Sequence, residues 1–457
     1  MEDREDLRSI LPFLPLLLRS SSLFWPSQVV EALKALGRGP LHSQVDSGEL
    51  LFLAISDLRN SLCLCTQPLA PSASQGYAFF FDELMSGVES KKWFEEVIPA
   101  LANLLLRFPS LLEEHYQSTD MIVDGEGGAG LRLLESQEAG IVFLRQELVA
   151  ALLCCSLFCL FPDDNRTYKD LPPINFDELF ASGVIEDQSG GALEVDFANK
   201  YLGGGALRRG CVQEEIRFMV SPELIVGMLF LPSMAENEAI EIVGVERFSS
   251  YTGYASSFRF SGGYVDKRDI DELGRRKTRI VAIDALCGPG MRQYREKFLL
   301  REINKAFCGF LSQTTHQPCR KILQDNRSSE LVYASTSTSV EVSKVQSADE
   351  AFRNSPKSCH GEEQHDSIGV ATGNWGCGAF GGDPEALRPF IAYYTFGSEA
   401  LRHLDQVADW ILSHQWTVGD LWNMLIEYST LRWKGETNVG FFKWLLPSIH
   451  KHDAGMD

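Results

Sequence analysis

The stretch that decides the fold runs from residue 193 to residue 216 and reads LEVDFANKYLGGGALRRGCVQEEI. Its first five residues, LEVDF, alternate apolar and acidic side chains, which is the pattern of a strand with one face in a core. Three consecutive glycines follow, Gly203, Gly204 and Gly205. Glycine takes positive φ angles at little cost and lets a ligand approach the backbone with no Cβ in the way. The stretch therefore predicts a strand that leads into a loop open to a ligand.

Two adjacent carboxylates, Glu214 and Glu215, follow Gln213 just beyond this loop. Neighbouring side chains point to opposite faces of a strand and diverge by about 100° on a helix. We therefore expect only one of the two glutamates to point straight at a reacting atom. Taken alone, the pair is also typical of an exposed acidic turn, and that interpretation stays open at this point.

The composition indicates a globular protein with an acidic surface. The 457 residues are enough for two or three domains, and 44% of them are hydrophobic and 23% charged. The 62 acidic residues outnumber the 42 basic ones and give a net charge of −20. Such a chain repels nucleic acid, so we expect no direct nucleic-acid partner. A small anionic ligand remains compatible with it, because backbone N–H groups at loops and helix N-termini bind phosphate.

The 11 cysteines are odd in number and scattered, and several lie in apolar runs, as Cys154, Cys155 and Cys159 do. This distribution is typical of reduced thiols in an intracellular compartment. Cys63 and Cys65 lack the second pair of ligands that a zinc site needs, so no metal is expected.

No segment predicts a signal peptide or a membrane span. The N-terminal MEDRED is acidic, whereas a signal peptide begins with basic residues. The apolar runs Ile10 to Leu18 and Leu148 to Phe161 are shorter than the roughly 20 residues that a membrane span needs. We interpret both runs as buried helices or helix starts, and we expect no membrane partner.

The chain up to about residue 165 predicts helices. The run from Ser27 to Gly37 has its apolar residues on one face, with Ser27 as the N-cap. The run from Trp93 to Arg107 has the same spacing and stops before Pro109. The run from Ile141 to Phe161 is nearly all apolar and is closed by a proline. We interpret this part as an α-helical support domain without catalytic residues.

From about residue 170, short apolar runs typical of strands alternate with helices. The strand candidates are Glu241 to Phe248, Thr278 to Ile283, Ile368 to Thr372 and Phe390 to Phe396. A helix candidate, Tyr294 to Phe310, lies between the second and the third. The alternation predicts an α/β sheet covered by helices.

Two further segments belong to this region. Residues 325–366 are rich in polar residues and have little apolar periodicity, which indicates a disordered or mobile insertion. The C-terminal part is helical again, since Thr417 and Asp420 have the spacing of a capping box ahead of an apolar run.

A second glycine cluster, residues 371–383, reads ATGNWGCGAFGGD and lies between a predicted strand and a predicted helix. Asp383 is a favourable N-cap, and Pro384 fits the first turn of that helix. Free N–H groups and the positive end of a helix dipole would both face an anion in this arrangement. The cluster therefore predicts a diphosphate site.

The same cluster matches the dinucleotide fingerprint at Gly376, Gly378 and Gly381, with Glu399 at a suitable distance for a ribose contact. However, fewer than 80 residues follow Gly381, and most of them predict helices. That leaves no room for the rest of a doubly wound nucleotide domain. An NAD-dependent oxidoreductase is kept only as an alternative, and no redox cofactor is expected.

Aromatic residues follow two of the predicted strands. Tyr251 and Tyr254 come after the run that ends at Phe248, and Phe396 ends the run after the second glycine cluster. Aromatic rings at strand ends can stack on a purine. A place in the core is the more common role of each such ring taken alone.

Five blocks of this sequence, VDFANKYLGGG, QEEIRF, SPELI, YTGYA and ATGNWGCGAFGGD, resemble those of the poly(ADP-ribose) glycohydrolases and occur in the same order. The similarity is to the large, plant-like eukaryotic type, whose catalytic domain is a macrodomain, and it covers residues 170–400. It implies an α/β macrodomain-like mixed sheet flanked by helices, preceded by an α-helical accessory domain. We expect the accessory domain at residues 1–165 and the catalytic domain at residues 166–457.

In this resemblance Glu215 takes the place of the catalytic acid, and Asp196 and Glu214 take those of the two other carboxylates of the active site. Asn199 and Gln213 are similar to residues that hydrogen-bond ADP-ribose. The other substrate-binding residues that the resemblance implies are Ile185 and Glu186 near the adenine, Gly203, Gly204 and Gly205 in the first loop, Tyr254 closing over the ligand, Asn374, Trp375, Gly376, Cys377, Gly378 and Ala379 in the diphosphate loop, Phe380 beside it, and Phe396 stacked on the adenine.

The implied reaction is hydrolysis of the ribose–ribose O-glycosidic bond, which passes through an oxocarbenium-like state and needs an acid to protonate the leaving oxygen. A carboxylic acid beside glycine backbone and aromatic rings loses part of its hydration, which favours its protonated form. The resemblance thus makes Glu215 the general acid and base. A macrodomain that binds ADP-ribose without cleaving it is the alternative, although such a reader would be expected to lose one or both glutamates.

The implied partners are poly(ADP-ribose), ADP-ribose and poly(ADP-ribosyl)ated proteins, with the chain acting as a soluble monomer. The resemblance also implies a role in the DNA damage response and a location in the nucleus and cytoplasm, where the polymer is made. The basic triplet that begins at Arg275 is short and abuts a predicted strand, so we interpret it as surface charge rather than an import signal.

Overall fold

Helices dominate the chain up to residue 162 in the computed structural model. The structure describes residues 4–62, 69, 71–120, 130–138, 140–162, 193–271, 274–310, 370–373, 375–377, 379–380, 392–394 and 404–446. The helices of the first part are α1 (Glu5–Ile10), α2 (Ser27–Gly37), α3 (Pro40–Ser43), α4 (Gly48–Leu62), α5 (Pro71–Ala78), α6 (Gly87–Lys92), α7 (Ile98–Asp120) and α8 (Gln146–Leu157). The predicted helical region is confirmed. A short hairpin of β1 (Leu17–Arg19) and β2 (Ser22–Phe24), which the sequence analysis did not predict, lies inside it.

The predicted stop of the second helical run, Trp93 to Arg107, before Pro109 is wrong. Helix α7 continues through Pro109 to Asp120. A proline inside a helix costs about 3 kcal/mol through its lost N–H and its clash with the preceding turn. Phe108, Leu112 and Tyr116 are fully buried on the continuous helix, and each buried side chain of that size contributes about 1.5–3 kcal/mol. Burial of this face therefore outweighs the cost of the proline.

The predicted helix from Ile141 to Phe161 is too long at both ends. Helix α8 begins only after Arg145, whose backbone is extended with ψ 142°, and Cys159 beyond its end has φ 50°. The apolar residues correctly predicted a buried segment, but these backbone dihedral angles make the helix shorter than that segment. The N-cap of α2 is Pro26 rather than Ser27, and the Pro26 side chain has no polar atom that could cap the helix.

The second part of the chain contains a five-stranded mixed sheet in the order β4-β7-β3-β8-β9. Its strands are β3 (Leu193–Ala198), β4 (Ile240–Val243), β7 (Arg279–Asp284), β8 (Val370–Gly373) and β9 (Ala392–Tyr394). Strands β7, β3, β8 and β9 are parallel neighbours, whereas β4 is antiparallel to β7. A separate antiparallel hairpin is formed by β5 (Ser249–Thr252) and β6 (Arg259–Gly263). The predicted α/β sheet is confirmed, with the alternating stretch after Leu193 at its centre.

One strand prediction, Glu241 to Phe248, is wrong at its C-terminal end. Strand β4 stops at Val243 because Gly244 has φ +94°, a conformation that turns the chain away from the sheet. The following residues form the hairpin instead, which places Tyr251 inside β5 rather than after a strand. The predicted runs at 368–372 and 390–396 agree with β8 and β9 where the structure describes them. Residues 325–366 lie outside the described residues.

Helices cover the sheet region and close the chain. They are α9 (Gln213–Val220), α10 (Gly227–Phe230), α11 (Glu296–Phe310), α12 (Leu404–Ser413) and α13 (Val418–Lys434). The predicted capping box is confirmed at α13, where Thr417 and Asp420 exchange both capping hydrogen bonds. Among the helices of the described ranges, none combines the length and the apolar character that crossing a membrane requires.

The two faces of the central strands belong to different cores. Leu193 and Val195 of β3 pack with Trp375 on one face. On the other face, Ala198 belongs to a large core that also contains residues of α2, α4, α7 and α8. This large core includes Leu202 and Leu207, which flank the three glycines. The N-terminal helices therefore support the first glycine loop from behind.

Candidate active site

The candidate site lies at the edge of the sheet where parallel strands end. Ala198 at the end of β3 pairs with Asp284 at the end of β7. The chain leaves β3 through the glycine loop and returns at α9, whose first three residues are Gln213, Glu214 and Glu215. In open α/β sheets, ligands bind outside the carboxyl ends of the strands. The local sequence thus brings loop, helix N-terminus and acidic residues to that edge.

Glu214 holds the two ends of the first part of the loop together. Its Oε1 accepts the N–H of Gly203 at 2.6 Å, and its Oε2 accepts the N–H of Asn199 at 2.8 Å. Both carboxylate oxygens are therefore engaged by backbone. The side chain is only 3% exposed in a residue type that is almost never fully buried without a partner. These contacts indicate that Glu214 fixes the path of the glycine loop.

Glu215 spans the second part of the same loop. Its Oε1 accepts the N–H of Gly205 at 2.9 Å, and its Oε2 accepts the N–H of Val212 at 3.0 Å. The second bond satisfies a backbone N–H at the start of α9, where the apolar Val212 side chain cannot accept a bond in return. Both glutamates therefore turn back onto the glycine loop. Glu215, at 7% exposure, is the more accessible of the two.

Glycines make room for these carboxylates. A Cβ at Gly210 would lie 2.5 Å from Cγ and 2.6 Å from Cδ of Glu215. A Cβ at Gly205 would lie 3.0 Å from the backbone of Gly210. Gly203 and Gly204 have φ of +86° and +49°. The three consecutive glycines are evident in the sequence, whereas the role of Gly210 depends on where Glu215 lies in the fold.

Asp196 is the third carboxylate of the site and the most buried, at 1% exposure. Neither of its oxygens has a hydrogen-bond partner among the described residues. Burial, and then the charge of Glu215, raise the pKa of Asp196 to about 8, while Arg217 opposes the rise. A buried carboxyl without donors around it is more stable when protonated. Asp196 therefore holds a proton at neutral pH and can donate it in a hydrogen bond.

Glu214 shares this electrostatic environment. Burial raises the pKa of Glu214 well above its usual range, and the charges of Asp196 and Glu215 raise it further. The N–H groups of Asn199 and Gly203 lower it in part, because they stabilise the ionised form. Three carboxylates at one buried location cannot all be ionised at low cost, so the site retains protons at neutral pH.

A buried arginine lies on the same side of β3. Glu194 and Asp196 are two residues apart and therefore face the same side of the strand. Arg217 of α9 pairs with Glu194 at 2.9 Å and donates to Ser221 Oγ at 3.1 Å. Arg268 adds a second contact to Glu194 at 3.4 Å. Glu194 thus takes up much of the cationic charge of Arg217, and among the described residues Asp196 has no ion-pair partner.

Two of the predicted ligand-binding side chains already bond to the backbone of the site. Gln213 Oε1 accepts the N–H of Phe197 at 2.7 Å, and its Nε2 donates to the Val195 carbonyl at 3.1 Å. Asn199 Oδ1 accepts the N–H of Tyr201 at 3.1 Å. The structure thus gives Gln213 a role that the sequence did not indicate, which is to fasten α9 to strand β3.

Tyr254 lies at the mouth of the site on the loop between β5 and β6. It is 48% exposed. Burial of part of the ring raises the pKa of Tyr254, and the Gln213 N–H lowers it in part. Gly253, with φ +79°, shapes this loop. By contrast, Tyr251 is buried against Phe258 and α9 and belongs to the core.

The second glycine loop is fastened to β7 and to the segment after it. Trp375 is buried beneath the sheet, and its Nε1 donates to the Ile283 carbonyl at 2.7 Å. The N–H of Gly288 donates to the Phe380 carbonyl at 3.0 Å. The Trp375 side chain is therefore an anchor, so only its backbone is available to a ligand. Gly376 has φ +74°, and Cys377 Sγ donates to the Trp375 carbonyl at 3.4 Å, while Ala379 is exposed.

Five predicted site residues lie outside the described part of the chain: Ile185, Glu186, Asn374, Gly378 and Phe396. The helix start predicted at Asp383 and Pro384 also lies outside it, as does Glu399. Their roles remain predictions from the sequence.

A buried cluster of charges fixes the end of β7, and sequence reasoning missed it. Asp284 Oδ2 accepts from Arg301 at 2.6 Å, and its Oδ1 lies against the fully buried Lys305. Arg301 also donates to Glu302 at 2.6 Å, and Glu302 accepts the N–H of Leu286 at 3.3 Å. The spacing on α11 gave a signal, because charged residues at i, i+1 and i+4 interrupt its apolar face. This signal could be interpreted only once the end of strand β7 was known to lie against the helix.

Comparison with known protein families and relatives gives a consistent result. The family model described as poly(ADP-ribose) glycohydrolase, Macro domain fold, matches residues 164–404, and the model of the helical domain of the same family matches residues 85–191. The chain is 54% identical to poly(ADP-ribose) glycohydrolase 1 of Arabidopsis thaliana, with 98% of each chain covered. It is 45% identical to the probable poly(ADP-ribose) glycohydrolase 2 of that plant, covering 98% of this chain and 100% of the relative. A Caenorhabditis elegans poly(ADP-ribose) glycohydrolase 1 is 32% identical over 48% of this chain and 23% of its own length.

Proposed function

The chain belongs to the poly(ADP-ribose) glycohydrolase family, and on that premise we propose that it hydrolyses the ribose–ribose O-glycosidic bonds of poly(ADP-ribose), with Glu215 as general acid and base. The observation that supports the reaction is similarity along the whole chain, since two relatives bearing that name each cover 98% of it. Both the helical region and the macrodomain are included. The released product is ADP-ribose.

The assignment of the acid to Glu215 rests on a comparison of the three carboxylates. Asp196 is 1% exposed, Glu214 is 3% exposed and Glu215 is 7% exposed. Only a group that reaches the surface of the cleft can contact the scissile bond. The charge of Glu215 also acts on the hydroxyl of Tyr254 and raises its pKa. Hydrogen bonds from Gly205 and Val212 hold its carboxylate in one orientation, as a catalytic acid requires.

In the first step, the bond between the anomeric carbon and the leaving ribose oxygen breaks, and Glu215 gives its proton to that oxygen. The sugar becomes oxocarbenium-like, and the neighbouring phosphates of the substrate stabilise its positive charge. In the second step a water oxygen bonds to the anomeric carbon and gives a proton to the Glu215 carboxylate. The acid is thereby regenerated, and one water is consumed for each bond.

Glu214 and Asp196 support this step without exchanging the reacting proton. Glu214 holds Asn199 and Gly203, so the loop presents its remaining amides to the substrate ribose. Asp196, with a pKa raised to about 8 by burial and by Glu215, carries a proton at neutral pH. A protonated Asp196 can donate a hydrogen bond where an ionised one would repel Glu215.

The second glycine loop is proposed to bind the diphosphate of ADP-ribose. Two hydrogen bonds fix its backbone relative to the catalytic edge of the sheet. One runs from the Trp375 indole N–H to the Ile283 carbonyl, and the other from the Gly288 N–H to the Phe380 carbonyl. Amides of such a loop bind phosphate oxygens without help from basic side chains. This is compatible with the acidic character of the chain.

The polymer is carried by poly(ADP-ribosyl)ated proteins, which are the proposed macromolecular partners. We also propose that the protein acts as a monomer in the nucleus and cytoplasm, where its polymer substrate is made. Separation of organelles followed by immunodetection of the chain tests this location. Exclusive recovery in another compartment would contradict it.

The reaction is tested by incubating purified protein with poly(ADP-ribose) and separating the products by ion-exchange chromatography. Free ADP-ribose is expected to accumulate with time. Polymer that is bound but stays intact would instead identify an ADP-ribose-binding macrodomain without hydrolytic activity.

A further inference from the structure

Charge poses a specific problem for the proposed substrate. The chain has a net charge of −20, and every unit of poly(ADP-ribose) carries a diphosphate. The overall field therefore repels the polymer, and the repulsion grows with the number of units near the surface. Positive side chains close to the cleft would offset it locally. Exposed basic residues beside Glu215 are therefore the ones that could offset the repulsion at the cleft.

The first such residues lie on the turn between the glycine loop and α9. The N–H groups of Arg208 and Gly210 both donate to the Gly205 carbonyl, at 2.8 Å and 3.0 Å, and so close the turn. Glu215 accepts the amides of Gly205 and Val212, one at each end of it. Arg208 and Arg209 are exposed on this turn. Two arginines are thus carried by a short loop that the proposed acid holds at both ends.

A third arginine lies on the neighbouring hairpin. Arg259 is the first residue of β6, and its Nη1 donates to the carbonyls of Ser256 and Phe258 at 3.2 Å and 2.5 Å. The guanidinium therefore lies over the turn that directly follows Tyr254. Its hydrogen-bond partners there are neutral, so its positive charge is retained.

The hairpin and the arginine turn are packed against each other. Cys211, at the end of the turn, packs against the core formed by Tyr251 and Phe258 of the hairpin and by residues of α9. Burial and the Glu215 carboxylate raise the pKa of the Cys211 thiol, and the positive charge of Arg259 opposes that rise. Glu215 and Arg259 are therefore both close to Cys211. The two basic segments border the same part of the cleft.

We propose that Arg208 and Arg259 form a basic rim that binds the diphosphate of the ADP-ribose unit next to the bond that is cleaved. Within the described residues, neither side chain is paired with a carboxylate. Arginine is well suited to this role, because its planar guanidinium matches phosphate oxygens with two N–H groups. The inference rests on the proposed function, since the rim has a substrate only if the chain acts on the polymer.

The test uses the full chain, the double variant Arg208→Gln/Arg259→Gln and two substrates. One substrate is long-chain poly(ADP-ribose). The other is ADP-ribose with a 4-nitrophenyl group on the anomeric carbon of its terminal ribose, so that its leaving group carries no phosphate. For the polymer, kcat/KM is expected to fall about tenfold at low ionic strength, and the loss should shrink as salt is added. For the nitrophenyl substrate, it should stay within about twofold of the parent, since the acid is untouched.

The matched control removes two positive charges elsewhere. Arg38 and Lys92 are exposed on the helical part of the chain, so Arg38→Gln/Lys92→Gln changes the net charge equally. This control should keep its activity on the polymer. Equal losses on both substrates, an unchanged activity on the polymer, or an equal loss in the control would each overturn the proposed rim. If the parent cleaves neither substrate, the proposed function fails and the rim fails with it.

Discussion

A methyl group on Gly204 would lie 2.7 Å from Glu215 Oε1 and 2.5 Å from Glu214 Oε2. Atoms that are not bonded to each other do not approach so closely, so both carboxylates can occupy their places only if residue 204 is glycine. The backbone at this position has φ +49°, which any other residue adopts at a cost. The triple glycine and the glutamate pair therefore form one structural unit, although eight residues lie between them along the chain.

Gly204→Ala is predicted to displace both carboxylates and to lower ADP-ribose release at least about tenfold. An error in position of about 1 Å at a catalytic group can cost about a hundredfold in rate. Gly435→Ala is the matched control, because Gly435 also has a positive φ, +74°, but nothing lies within 4 Å of a Cβ built on it. The control should lose some stability and keep its activity. Equal activities of the two variants would contradict the steric argument.

Asp196→Asn is predicted to change how stability depends on pH. Because the folded-state pKa of Asp196 is raised from 3.8 to about 8, the folded protein binds this proton more tightly than the unfolded chain does. The resulting stabilisation is fully present below pH 4 and is lost as the pH rises through 8. Asparagine does not titrate, so the variant lacks this loss. The difference in the free energy of unfolding between the parent and Asp196→Asn should change by a few kcal/mol between pH 4 and pH 8.5.

Urea unfolding of the parent and of Asp196→Asn at several pH values measures this difference directly. Glu214 contributes to this difference as well, because the charge of Asp196 is one cause of its raised pKa, so the comparison reports on the two carboxyl groups together. Parallel curves of unfolding free energy against pH would show that Asp196 is already ionised in the folded protein.

Lys305→Met is predicted to reduce the free energy of unfolding by about 3–5 kcal/mol. It removes a fully buried cation and leaves Asp284 with Arg301 as its remaining counter-ion. Adding Asp284→Asn should restore part of the loss, since the double variant no longer buries an unbalanced charge. Lys297→Met, at an exposed position of the same helix, serves as the control. Thermal unfolding of the four proteins checks this order of stability. A Lys305→Met variant as stable as the parent would contradict the prediction.

Trp375→Phe is predicted to weaken ADP-ribose binding about fivefold. The change removes the indole N–H that holds the second glycine loop on the Ile283 carbonyl and leaves a buried acceptor without its donor. Such a loss costs about 1–3 kcal/mol, part of which appears as disorder of the loop. Trp433→Phe, at an exposed tryptophan of α13, controls for the loss of an indole. Calorimetric titration with ADP-ribose measures the affinity of both variants. Equal affinities of Trp375→Phe and the parent would show that the loop does not depend on this anchor.

Much of the site could be predicted from local sequence, because its parts are close along the chain. The strand after Leu193 and the glycine loop form one continuous segment, so alternation and glycine content were sufficient signals for them, whereas the helix that begins at Gln213 was not predicted. The capping box at Thr417 was predictable for the same reason, since it spans only three residues.

The features that escaped prediction depend on distant parts of the chain. Helix α7 continues through Pro109 because its far turns are buried in a core that the local pattern does not reveal. Gln213 bonds to Phe197 and Val195 on the neighbouring strand, a contact that exists only once β3 and α9 are packed. The cluster of Asp284 with Lys305 likewise joins a strand end to a helix that begins twelve residues later.

The central claim, that Glu215 supplies the proton for bond cleavage, is tested most directly with Glu215→Gln. Glutamine keeps the size of the side chain, so ADP-ribose should bind with nearly unchanged affinity. Release of ADP-ribose from poly(ADP-ribose) should fall by about a hundredfold or more, as expected for loss of a general acid. Both quantities are measured on the same preparations as the parent protein. A variant that binds ADP-ribose and still cleaves the polymer at the parent rate would contradict the claim.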